Sequence, residues 1–240
     1  MAIIKSKPYK GIELEFDDEK HRFSINGKSI LSVTGATGMV DKSAPLMFWA
    51  VKLFREFLID KLSQGIITEE LILEGSRQHT IKKEKAADIG TQIHKWCGEY
   101  IMGKNPAIPE DDKIKNGALA FLKWIDENKV KFLNSEEIIY SKKYDYAGIL
   151  DLEAKVNGEL AIVDFKSSSG VYPEMYYQVS AYRAAKEEMT KKKYDVSWII
   201  QFGKDTGEFK AYRLEEHNKD FKAFLGALTL RRRDTEIKTQ

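Results

Sequence analysis

The sequence predicts an α/β fold, and three observations carry that expectation. Strand-like runs around an Asn-Gly pair open the chain, helical spacing of apolar residues fills much of the stretch from Ala44 to Asn128, and strands and helices then alternate to the end. At 240 residues, 42% of them hydrophobic, the chain is long enough for one substantial core or for a core with an added helical module.

In chain order, IELEF and RFSINGKSI read as strands, with Asn26-Gly27 as a two-residue turn because both residues accept the positive φ of a type I′ hairpin. From Ala44 to about Ser63, Leu46, Trp49, Ala50, Leu53, Phe54, Phe57 and Leu58 recur at three and four, one face of a helix with Pro45 in its first turn. Further helices are expected over Glu84 to Met102 and Asp111 to Asn128, the second announced by the acid-rich NPAIPEDD.

After Asn128 the pattern becomes an antiparallel meander: EEIIYSK, YAGILDLEAKV, the turn Asn157-Gly158, and ELAIVDFKS. A helix over Glu174 to Met189 follows, then the strands VSWIIQF and EFKAYRL around GKDTG, and a last helix from about Glu215 to Leu230. RRRDTEIKTQ is expected as a fraying polar tail. The expected organisation is a hairpin and helical extension over residues 1–80, a core over 81–230 and a tail over 231–240. No internal repeat is visible.

Charge excludes little: 39 Lys+Arg against 37 Asp+Glu give +2, so no global field marks the chain for nucleic acid, while a locally basic groove stays open. One cysteine, Cys97, rules out an internal disulfide and a four-cysteine metal or iron–sulfur site within one chain. The start, with Glu13, Glu15 and Asp17 and no long apolar run, has the pattern of neither a secretory nor a transit peptide. No stretch reaches the roughly 18 apolar residues of a membrane span. A soluble, intracellular, cytoplasmic protein is the expectation, with no membrane partner.

The chemistry concentrates in the meander. Asp164 and Lys166 alternate with Phe165, so they share a face at the end of an apolar strand. If Val156 pairs with Glu159 across the Asn-Gly turn, counting outward sets Asp151 opposite Asp164. Two adjacent carboxylates repel unless a cation sits between them, and a hard divalent ion suits an oxygen-rich site of this kind. Lys166 would then stabilise negative charge on a phosphate or help position the attacking water. Gln178 and Tyr182, one helical turn apart, share a face that can reach the same strand end. Taken singly, each has a plainer reading: a strand-end ion pair for Asp164 and Lys166, a packing face for Tyr182.

Together, GILD at 148 to 151, IVDFKSS at 162 to 168 and YQVSAY at 177 to 182 resemble the signature of the PD-(D/E)XK nuclease superfamily, in its RecB-type, phage-like exonuclease branch. The likeness covers roughly residues 85 to 215. It implies a restriction-endonuclease-like core, a central mixed β-sheet flanked by helices, that hydrolyses DNA phosphodiester bonds with Mg2+ or Mn2+.

Carried onto this sequence, the resemblance makes Asp151 and Asp164 metal ligands, Lys166 the catalytic lysine, and Gln178 and Tyr182 residues that orient the site or touch DNA. His94, in GTQIHKWCGEY, falls where relatives place a further ligand on a helix, and the Phe165 carbonyl where they place another. Glu137 resembles the acid on the first core strand, with Glu136 beside it as the alternative. The branch that carries an iron–sulfur cluster needs four cysteines, so none is expected here. SVTGATGMVDKSAPLMFWAVK is similar to the segment before the core in phage-encoded relatives, where Lys42, Trp49 and Lys52 would line a DNA path, although Trp49 also fits the apolar stripe.

The resemblance implies DNA, single- or double-stranded and by its ends, as partner, with recombination or replication proteins as further partners and a host cytoplasm if the chain is phage-encoded. Three other readings stay open: a catalytically silent nucleic-acid-binding protein on the same fold, a structure-specific endonuclease, and a glycosidase-type enzyme using Asp151 and Asp164 as acid and base. The last needs neither metal nor lysine, so chelator sensitivity separates it.

Overall fold

The computed structural model describes residues 3–62, 64–65 and 67–239. Ser63, where the first long helix was expected to end, and Gln240 at the end of the tail lie outside the described residues. The chain divides into two compact units, residues 1–40 with 93–240, and residues 41–92.

The larger unit is built on a mixed β-sheet. Its strands are β1 (Ile3–Tyr9), β2 (Ile12–Asp17), β3 (Arg22–Ile25), β4 (Lys28–Ser32), β5 (Lys131–Ser141), β6 (Tyr146–Val156), β7 (Glu159–Lys166), β8 (Val196–Phe202) and β9 (Phe209–Leu214). They run in the order β1-β2-β3-β4-β6-β7-β8-β9, with β5 also paired to β6. β4 with β6 and β7 with β8 are parallel, and the other pairs are antiparallel. β1, which the sequence pattern had not marked, is an edge strand, a place that tolerates Pro8.

Both Asn-Gly turns form as expected. Asn26 and Gly27 have φ +49° and +76°, Asn157 and Gly158 +51° and +92°, the left-handed pair that matches the twist of a two-residue hairpin. The second turn fixes the register Val156↔Glu159 and carries it to Leu152↔Val163.

Helices cover both faces of this sheet. On one, Phe121 and Trp124 of α4 (Asp112–Glu127) pack edge-on against Phe165, at 5.7 and 5.8 Å between ring centroids. Asp111 caps α4, accepting hydrogen bonds from the backbone N–H of Lys113 (2.9 Å) and Ile114 (3.1 Å). On the other face, Val179 and Ala185 of α5 (Pro173–Thr190) and Phe224 and Leu228 of α6 (His217–Lys238) share a buried core with Ile162 and Ile199. The short helix α1 (Val33–Thr37) joins the same core through Val33 and Ala36.

The smaller unit holds α2 (Ser43–Leu62) and the first part of α3 (Glu69–Ile101). The helices approach closely because position 75 is glycine: a Cβ there would lie 2.9 Å from the ring of Phe54 and 3.0 Å from that of Phe57. Of the expected apolar stripe on α2, Leu53 is buried, Trp49, Phe54, Phe57 and Leu58 are half-buried, and Leu46 is exposed. Trp49 therefore fits neither extreme of its two readings, core or open DNA-contact surface.

Two helices are longer than their spacing suggested. α3 begins at Glu69 rather than Glu84, and the expected boundary at residue 80 falls inside it. α6 runs on through Arg231–Arg233 to Lys238, where a frayed tail was expected. Ion pairs along the helix hold it, Lys238 to Asp234 at 2.9 Å and Arg233 to Glu236 at 3.1 Å, and Arg232 donates to the carbonyls of Tyr144 and Asp145, both at 2.7 Å. Among the described residues no helix is long and apolar enough to cross a membrane.

Candidate active site

The candidate site forms where β7 ends and α5 begins. Asp164 lies on the α5 side of β7 and is 1% exposed. Its Oδ2 meets Lys166 Nζ at 2.6 Å, an ion contact without the alignment of a hydrogen bond. Gln178, one turn into α5, ties the pair together: its Nε2 donates to Asp164 Oδ1 at 3.3 Å and to the Tyr182 hydroxyl at 2.8 Å, while its Oε1 accepts from Lys166 Nζ at 3.3 Å. The four side chains that motif spacing placed on one strand and one helix therefore form one connected network.

Asp151 enters from β6. The β6–β7 ladder stops at Leu152↔Val163, one step short of the expected pairing of Asp151 with Asp164. Asp151 instead accepts the backbone N–H of Phe165 at 2.7 Å with its own Oδ2, so a side chain stands in for the ladder beyond the last pair. The Phe165 ring points the other way, into the cluster with Phe121, Trp124 and Phe202, and pins the backbone between the two acids.

His94 reaches the same place from the last turns of α3. Its Nδ1 lies 3.7 Å from Asp151 Oδ2, while its neighbours Ile93 and Cys97 are fully buried. Gly98, one turn further on, faces the stem of Glu136: a Cβ at 98 would sit 3.7 Å from Glu136 Cγ. One atom each of His94, Glu136 and Asp151 lies within 4.8 Å of the others, a geometry able to hold a metal ion.

The acid from β5 is thus Glu136, and Glu137 is placed elsewhere. β5 pairs Ser135 with Leu152 and Glu137 with Leu150; Glu136 between them has φ +50°, a left-handed conformation uncommon for a residue with a side chain. That turn breaks the strand's alternation and delivers Glu136 to the cluster. Glu137 points instead at Lys186 of α5, whose ammonium it shares with Glu153 (3.1 Å), and Glu153 accepts from the Tyr194 hydroxyl at 2.8 Å. This is a nearly buried structural network. Nothing in the sequence favoured Glu136, because the deciding feature is one backbone dihedral.

Glu136 is exposed along its length, but crowding of its carboxyl by protein, then the charge of Asp151, lifts it to about 7. Burial raises Asp164 to about 6, opposed by Lys166 and assisted by Asp151. Burial acts against the charge on Lys166, yet Asp164 and then Asp151 outweigh it and raise its pKa. Burial, and then the charges of Asp151 and Glu136, raise the Cys97 thiol well above its usual range. A nitrogen donor, from His94, and the converging carboxylates of Glu136 and Asp151 fit a divalent ion.

No protein-family model matches the chain, and no curated protein sequence matches it. Among solved structures, an alkaline exonuclease from Laribacter hongkongensis is similar over 50% of this chain and 68% of that one, at 14% identity and a TM-score of 0.30.

Proposed function

We propose that this chain is a divalent-metal-dependent deoxyribonuclease of the PD-(D/E)XK type, a RecB-like exonuclease that hydrolyses phosphodiester bonds from DNA ends. The observation that carries the reading is the convergence of His94, Glu136 and Asp151 beside the Asp164–Lys166–Gln178 network. In this reading His94, Glu136, Asp151 and Asp164, with the Phe165 carbonyl, hold Mg2+ or Mn2+. When bound, the ion supplies Lewis acidity toward a phosphate oxygen and lowers the pKa of water.

The chain's own residues do the rest. Asp164 and Gln178 hold the Lys166 ammonium at the strand end, where it faces the charge that builds on the phosphate oxygens as water attacks and the P–O bond breaks. Tyr182 fixes the Gln178 amide, so Gln178 presents its oxygen to Lys166 and its nitrogen to Asp164. Lys166→Ala is therefore expected to lose turnover and keep DNA affinity, which rests on many phosphate contacts.

The test is a time course on end-labelled linear DNA against closed circular DNA in Mg2+. Progressive loss of linear substrate with the circle intact supports an exonuclease in DNA processing, recombination or repair. Cutting of both at equal rates would make the chain an endonuclease.

A further inference from the structure

Beside the acidic site lies a cavity of about 170 Å3, bounded by the β2–β3 hairpin and the start of α1. Phe16 and Phe23 form its floor, 3% and 4% exposed, with ring centroids 4.7 Å apart. His21, at the hairpin turn, and Thr34 stand exposed at the rim. The His21 ring lies 5.9 Å from that of Phe16, and Thr34 Oγ1 lies 3.3 Å from Ser32 Oγ.

Tyr182, seated over Gly148, completes the lining together with Val33 and Ile149, and its hydroxyl is held by the same Gln178 amide that reaches Asp164. The cavity and the acidic network therefore share one side chain.

Its lining selects a chemistry. Among the described residues no Asp, Glu, Lys or Arg borders the cavity, so it offers nothing for a phosphate or a metal. Aromatic walls, with the Phe16 and Phe23 rings tilted at 33° to each other, and hydroxyls and an imidazole at the rim suit a flat, uncharged heteroaromatic ring with polar edges. Its volume is well below the roughly 300–1,000 Å3 of pockets for drug-sized ligands, which limits the occupant to a single ring system.

Resting on the nuclease reading above, we propose that this cavity takes one unstacked nucleobase of the DNA, next to the phosphate being cleaved. Tyr182 then couples base and chemistry: a base stacked against its ring is sensed by the amide that positions Asp164 and Lys166. Stacking on the aromatic walls offsets the cost of drawing the base out of the helix.

The test scans a single abasic residue through the terminal nucleotides of a linear duplex, with wild type and with Thr34→Trp, whose indole fills the cavity. Wild type is expected to show at least a ~5-fold rise in KM at one position, the low end of what one base-on-aromatic stack contributes. Thr34→Trp should show a high KM with no dependence on position. His21→Ala, a rim change far from the packed floor, should weaken the positional effect if Thr34→Trp fails to fold. In a direct binding arm, 2-aminopurine at that position should change its emission on binding Lys166→Ala protein in Mg2+, and not on binding the Thr34→Trp, Lys166→Ala double variant. Cleavage that tolerates an abasic residue at every position would overturn the cavity assignment and leave the nuclease reading standing. Absence of any DNA cleavage by wild type would remove both.

Discussion

Gly148 lies directly beneath Tyr182: a Cβ added at position 148 would fall 2.6 Å from Tyr182 Cε1 and 3.3 Å from Val33 Cγ2. The glycine of the GILD run is thus required by close approach of an aromatic ring. Gly148→Ala is expected to cost about 1–3 kcal/mol of stability as the ring is forced off its seat. Because Tyr182 holds Gln178, the variant should also lose activity when compared at temperatures where it is fully folded. Urea midpoints and kcat measured together check both halves.

The neighbouring acids of β5 are expected to behave oppositely. Glu136→Gln should weaken Mn2+ binding and leave metal-free stability unchanged or higher, since it removes repulsion with Asp151. Glu137→Gln should leave Mn2+ binding alone and lower stability by about 1–3 kcal/mol, because it takes a charged partner from the nearly buried Lys186. Calorimetric Mn2+ titration beside urea unfolding distinguishes them.

His94→Ala should lower metal affinity roughly 10- to 100-fold, the scale for losing a contact that supports a metal site. Imidazole is softer than carboxylate, so the loss should be larger for Mn2+ than for Mg2+. The metal-free melting temperature should stay nearly unchanged, since the side chain is 30% exposed beside Asp151. A lowered melting temperature with intact metal affinity would make His94 a packing residue.

His217, at the first turn of α6, gives a pH signature away from this site. Burial, then the charge of Arg183, depresses its imidazole to about 4, with Glu187 acting in the opposite sense. The folded pKa lies below that of the unfolded chain, so the contribution to stability is fully present above about 6.5 and is lost as pH falls toward 4. Wild type should therefore lose stability relative to His217→Gln over that window. Parallel melting curves for the two proteins at pH 7 and pH 5 measure the difference.

Patterns of two and three-to-four residues disclosed the larger unit well, because they report which side of an element is buried. The two Asn-Gly turns, the register from Val156↔Glu159 and the meeting of Asp164, Lys166, Gln178 and Tyr182 all follow from such local rules. What was missed has no such signal. The first half of α3, EELILEGSRQHTIKK, is polar nearly all round and shows its packing only at Gly75, where a gap in the helix surface admits Phe54 and Phe57. The end of α6 is fixed by Arg232 binding carbonyls 87 and 88 positions away in the chain. Glu136 displaces Glu137 from the cluster through one positive φ in a long strand, which a residue with a side chain does not advertise.

In the proposed reading, three acids, Glu136, Asp151 and Asp164, meet His94 and Lys166 to cut DNA with a divalent ion. The most direct measurement is product release from end-labelled linear DNA by the pure protein in Mg2+, in excess EDTA, and in EDTA followed by excess Mn2+. Cleavage in Mg2+, none in EDTA and recovery with Mn2+ is the predicted result, with Lys166→Ala inactive throughout. Undiminished cleavage in EDTA, or wild-type rates from Lys166→Ala, would contradict the account.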